Sequence, residues 1–126
     1  MTTAAAILFA LVACAAIAFQ LGLAAGAPWG SMAMGGRYPG SFPPRMRAAA
    51  VVQAAVLASL LIAVLSDARI ALTPLSDALP WLIWVAVAFS GVSLALNAIT
   101  PSPRERQIWV PVALVMLVSS LVVAIG

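Results

Sequence analysis

Arg104-Glu105-Arg106 is the nearest this sequence comes to a reactive constellation. Glu105 would serve as general acid or base. Arg104, Arg106 and the more distant Arg45 would hold an anionic substrate group through charge-assisted hydrogen bonds. Such a set would suit a membrane enzyme acting on lipids. The rest of the inventory argues against catalysis. Histidine is absent, all six cationic side chains are arginines, and the single cysteine, Cys14, lies inside an apolar run. No nucleophile–base pair with His, Cys or Lys exists. A His/Cys metal site lacks ligands, so neither a metal nor any other cofactor is expected.

The arginines point to a second chemistry, anion binding. Pro44-Arg45-Met46-Arg47 and Pro103-Arg104-Glu105-Arg106 repeat the same pattern at an offset of 59 residues. Proline suits the first turn of a helix, where its missing N–H has no partner. Arginine there opposes the helix dipole, so something else must favour it. Membrane insertion topology is one reason. Another is an anion held between guanidinium groups and the free N–H groups of the helix start. In a bilayer the commonest such anion is a lipid headgroup phosphate. Arg37, Arg45, Arg47, Arg104 and Arg106 are the candidates for it. The glycine pair Gly35-Gly36, with Trp29 and Tyr38 nearby, would form an interfacial loop, and its backbone would suit a weak anion nest.

The third possibility is a polar cavity. No ionisable residue lies deep in an apolar run, which counts against a proton- or cation-coupled transporter. Neutral groups remain. Gln20 and Asn97 fall near the ends of two runs, and Gln53 lies within another. These three would line a cavity open to the cytoplasm. Ser90, Ser93 and Asn97 form one helical stripe. With Ser119 and Ser120, they are expected to join helices through hydrogen bonds.

The elements carrying these residues follow from composition. The chain has 126 residues, 65% hydrophobic and 7% charged, with mean hydropathy +1.18. A soluble domain has about 25% charged residues, so this is an integral membrane protein. Four segments match the roughly 20 residues needed to cross a bilayer. They are expected over 3–24, 46–66, 79–99 and 107–125. Each must be helical, because backbone polar groups in lipid have to be satisfied internally. The result is an all-α antiparallel four-helix bundle forming one transmembrane domain, 1–126. The offset motif suggests two parallel-repeat hairpins. The first span lacks a basic leader and exceeds a signal-peptide core, so it reads as a retained helix.

Five arginines lie in or beside the first and third loops, and only Arg69, with Asp67 and Asp77, lies in the second. The first and third loops should therefore be cytoplasmic and both termini outside. The isoelectric point near 10.6 reflects this retained charge, and no nucleic-acid binding is expected. Leu75-Ser76-Asp77-Ala78 should cap the third span.

The long first loop, 25–45, is the segment that insertion alone does not explain. The stretch Gly26–Arg47 holds five of the eight glycines, four of the nine prolines and three of the six arginines. Ala27-Pro28-Trp29-Gly30, Gly35-Gly36, Pro39-Gly40 and Pro44 followed by Arg47 resemble the first loop of small four-span bacterial integral membrane proteins. Asn97, Ser102, Glu105-Arg106, Trp109 and Pro111 extend the resemblance along the chain. It implies a bacterial cytoplasmic membrane protein of a family with no assigned activity. Three functions are open. The first is a non-catalytic accessory or lipid-interacting protein, partnered by anionic membrane lipids, by copies of itself or by a larger membrane complex. The second is a small oligomeric channel or transporter, and the third is the lipid-modifying enzyme.

Overall fold

Prolines decide where two of the long helices begin. The computed structural model describes every residue from Met1 to Gly126. Its helices are α1 (Thr2–Ala24), α2 (Pro44–Asp67), a short α3 (Thr73–Ala78), α4 (Leu82–Ile99) and α5 (Pro103–Ile125), with no strand. α1, α2, α4 and α5 are each long and apolar enough to cross a membrane. The protein is an all-α, multi-pass membrane protein. α2 and α5 start at Pro44 and Pro103, two and four residues earlier than expected, because their first turns are polar and hydropathy does not register them.

α4 starts at Leu82, three residues later than expected. Pro80 disfavours helical backbone at Leu79, which takes φ −131° and ψ 71°. The second loop uses the intervening residues for α3, and no side chain caps α4. Asp77 instead pairs with Arg69 at 2.8 Å on the exposed surface. Ser76 Oγ donates to Asp67 Oδ1 at 3.0 Å.

α1 and α2 each close with a doubled carbonyl cap. At the end of α1, Gly26 has φ 98°, and its N–H and that of Ala27 return to Leu23 and Gly22. Glycine tolerates that left-handed backbone without penalty. At the end of α2 the same position is held by Arg69, with φ 64°. Its N–H and that of Ile70 return to Ser66 and Leu65.

Around the bundle the order is α1, α2, α4, α5, with α5 closing against α1. Of the four seams, α2–α4 is the sparsest. The core contains Phe9, Leu57, Leu60, Val64, Ile83, Met116 and Val123, and the α1 face contributes Ala6, Ala13 and Ala16. Small residues there let backbones approach closely in lipid. The serines do not join helices as expected. Ser90 donates to Ala86 O (2.8 Å), Ser119 to Val115 O (2.6 Å) and Ser120 to Met116 O (2.7 Å). Asn97 likewise donates to Ser93 O (2.7 Å). Each bond stays within its own helix. The neighbouring faces are mostly apolar, so the carbonyl one turn back is the nearest acceptor.

Candidate functional site

The first loop closes one end of the bundle. It makes two 3-10 turns, Gly30–Met32 and Met34–Gly36. Its ends are drawn together where the Gly30 N–H donates to Gly40 O (2.8 Å). This approach requires glycine, since a Cβ at Gly30 would overlap the Tyr38 carbonyl. Phe42, only 3% exposed, packs with Leu23 and Ala50 in a small separate cluster. Tyr38 meets Phe42 edge-on at 5.8 Å. Trp29 lies over Gly22 and stacks on Phe19, with ring centroids 5.8 Å apart.

Three hydrogen bonds fasten this loop to the start of α5. Trp109 Nε1 donates to Met32 O at 2.8 Å. Ser102 Oγ donates to Ser31 O at 2.8 Å. The Gly35 N–H donates to Glu105 Oε2 at 2.9 Å. Local chemistry explains why Glu105 is available. Ser102 and Glu105 have the spacing of a capping box, in which serine takes the glutamate N–H and the glutamate side chain takes the serine N–H. Here only the first half forms, Glu105 N–H to Ser102 Oγ at 3.3 Å. The Ser102 N–H turns to Thr100 Oγ1 at 3.4 Å. The carboxylate is thereby released to the loop. It fills the Gly35-Gly36 turn, where φ is 69° and 74°. The anion received at Gly35 is therefore internal to the protein.

Beneath the loop lies a cavity of about 640 Å³. Gln20 from α1, Gln53 from α2, Ser93 and Asn97 from α4 and Glu105 from α5 line it together. Phe19, Phe42, Leu57, Phe89, Trp109 and Met116 supply apolar walls, and Met32, Met34 and Gly35 form the roof. Ala49, Leu96 and Ile99 also line it and are exposed on the outside of α2 and α4. The cavity thus borders the thin α2–α4 seam. In the other half of the bundle, Phe9, Leu60, Val64, Ile83 and Val123 are at most 7% exposed and fill the interior.

The arginines lie outside this cavity. Arg47 Nε donates to Phe42 O (2.9 Å), and Arg106 Nη1 donates to Thr100 O (2.7 Å). The second arginine of each Pro-Arg-x-Arg motif thus folds back onto a carbonyl just before its own helix. That contact gives a structural reason for arginine in a first turn. Arg37, Arg45 and Arg104 are exposed, with no protein ion pair. Met32, Met34 and Phe42, apolar residues that could equally lie on the headgroup region, fold over the cavity; what sequence reasoning missed is the inward aim of Glu105. The Ser102–Glu105 spacing was the available signal for Glu105, but it points to a local cap. Comparison with protein-family models, curated proteins and solved structures finds no match to this chain.

Proposed function

We propose that this is a non-catalytic protein of the bacterial cytoplasmic membrane that retains a small amphiphile, a lipid or lipid-like molecule, beneath its first loop. The observation that carries this reading is the cavity itself. Its volume of about 640 Å³ falls in the range of small-molecule sites, which combine apolar walls with a few placed polar groups. Amides and a carboxylate gather with aromatic and aliphatic side chains, and the exposed wall residues give access from lipid. The arginine distribution favours a cytoplasmic position for this end. Arg37, Arg45 and Arg104 would then rest among anionic headgroups.

Catalysis is not favoured, because Glu105 has no second acid–base group beside it and no nucleophile to activate. A pore through one chain is not favoured either, because the far half of the bundle is packed. Native mass spectrometry of protein extracted with its own lipids tests the reading. A stoichiometric adduct of lipid-like mass is expected on the wild type and is lost in Leu57→Trp, which fills the cavity from α2. A wild type without adduct, or a filled variant that keeps it, would overturn the proposal.

A further inference from the structure

The charge inside the cavity specifies the head of the ligand, given the amphiphile site proposed above. Glu105 is the only charged residue among those lining it. The residue is 8% exposed. No arginine pairs with it, since the only ion pair in the protein joins Arg69 and Asp77. Arg106, its neighbour in sequence, is held away on the Thr100 carbonyl. One carboxylate oxygen takes the Gly35 N–H; the other has no protein donor, and no buried side-chain polar atom is left unsatisfied. The free oxygen is therefore not fully buried, and Glu105 is among the residues lining the cavity. A carboxylate accepts about four hydrogen bonds, and at the third position of α5 it is favoured by the helix dipole.

The same cavity lining supplies acceptors and rings suited to a cation. Gln20, Gln53 and Asn97 each contribute a side-chain amide, and Phe19, Phe89 and Trp109 contribute aromatic rings. Rings of this kind attract ammonium groups. A single carboxylate is too few for a metal ion, and no group of three possible metal-ligating acid, Cys or His residues exists anywhere in the fold. An anionic phosphate would meet the carboxylate as a like charge.

We infer that the cavity selects a cationic amphiphile, an alkylammonium with its head at Glu105 and its chain against Leu57, Phe89 and Met116. The chain would enter through the α2–α4 seam. The external arginines and the internal glutamate then have opposite tasks. The former meet anionic headgroups at the surface, and the latter chooses what is taken inside.

Three single-chain probes of equal length test this in a non-ionic maltoside detergent, each measured above a protein-free micelle control. They are dodecylammonium, dodecanol and dodecyl sulfate. Wild-type protein is expected to bind the ammonium saturably and at least about tenfold more tightly than the alcohol, as a charge-assisted contact implies. The sulfate should bind most weakly. Glu105→Gln, which can still accept from Gly35, should remove the preference for the cation by weakening ammonium binding far more than dodecanol binding. Equal binding of alcohol and ammonium, or tighter binding of sulfate, would overturn the inference while the amphiphile site stands. Failure of all three probes to bind would overturn both. The wild-type ranking needs no variant, so it decides the matter even if Glu105→Gln is unstable.

Discussion

Gly30→Ala should open the first loop without unfolding the helices. A Cβ added at Gly30 would overlap the Tyr38 carbonyl oxygen and lie 2.6 Å from that of Gly40. Both obstacles are backbone, so no side-chain rotation relieves them. Reaching ordinary contact at 3.4 Å moves the Gly40 carbonyl back by about 0.8 Å. A retreat of that size along the Gly30 N–H bond lengthens it from 2.8 Å to about 3.6 Å, outside hydrogen-bonding range. A buried N–H without a partner costs about 1–3 kcal/mol, and overpacking adds about 1–3 kcal/mol. A combined loss of about 2–6 kcal/mol raises the open population of the loop roughly 30- to 20,000-fold. Hydrogen exchange read by mass spectrometry over residues 26–43 measures this directly. α1, α4 and α5 should keep wild-type protection, because the Leu23–Phe42–Ala50 cluster is separate from the main core. Gly40→Ala is the internal control. Nothing lies within 4 Å of its added Cβ, so only the φ of 78° is penalised, at about 1–2 kcal/mol. Exchange in Gly30→Ala within about threefold of wild type, or below that of Gly40→Ala, would refute the claim that the 30–40 contact closes the loop.

Other substitutions separate the remaining contacts. Ser102→Ala removes the α5 cap and the bond to Ser31 together, and should lower thermal stability by about 1–2 kcal/mol with faster exchange at 30–36. Trp109→Phe keeps the ring against Phe19 but leaves Met32 O without its donor. A loss of about 1–2 kcal/mol, localised to the loop in hydrogen exchange, is expected. Gly22→Ala should displace Trp29 from its place over the helix, seen as a change in tryptophan emission. Its stability should change by less than about 1 kcal/mol, because alanine favours the helix by about as much as the lost stacking costs. Arg69→Gly should stabilise the end of α2 by up to about 1 kcal/mol in thermal unfolding, since the left-handed strain exceeds the worth of an exposed ion pair.

The sequence by itself determined the membrane class and the four crossing segments. These are local properties. Hydropathy over about 20 residues decides whether a segment enters lipid, and the unsatisfied backbone then forces it into a helix. Where local rules competed, the sequence reading slipped. Pro80 moved the start of α4 to Leu82, and the polar first turns of α2 and α5 extended those helices beyond the apolar runs. The amides Gln20, Gln53 and Asn97 were legible as neighbours because their heights along the helices could be counted. Composition allows the loop above them either to lie on the headgroup region or to fold over the bundle, since no local pattern indicates where a glycine-rich loop will dock. Only the tertiary structure decided that Glu105 abandons its own capping box for Gly35, 70 residues away, and that Trp109 reaches Met32 across 77. A buried carboxylate takes the donor that the packed fold brings within reach, and that donor lies on a segment whose position depends on every helix beneath it.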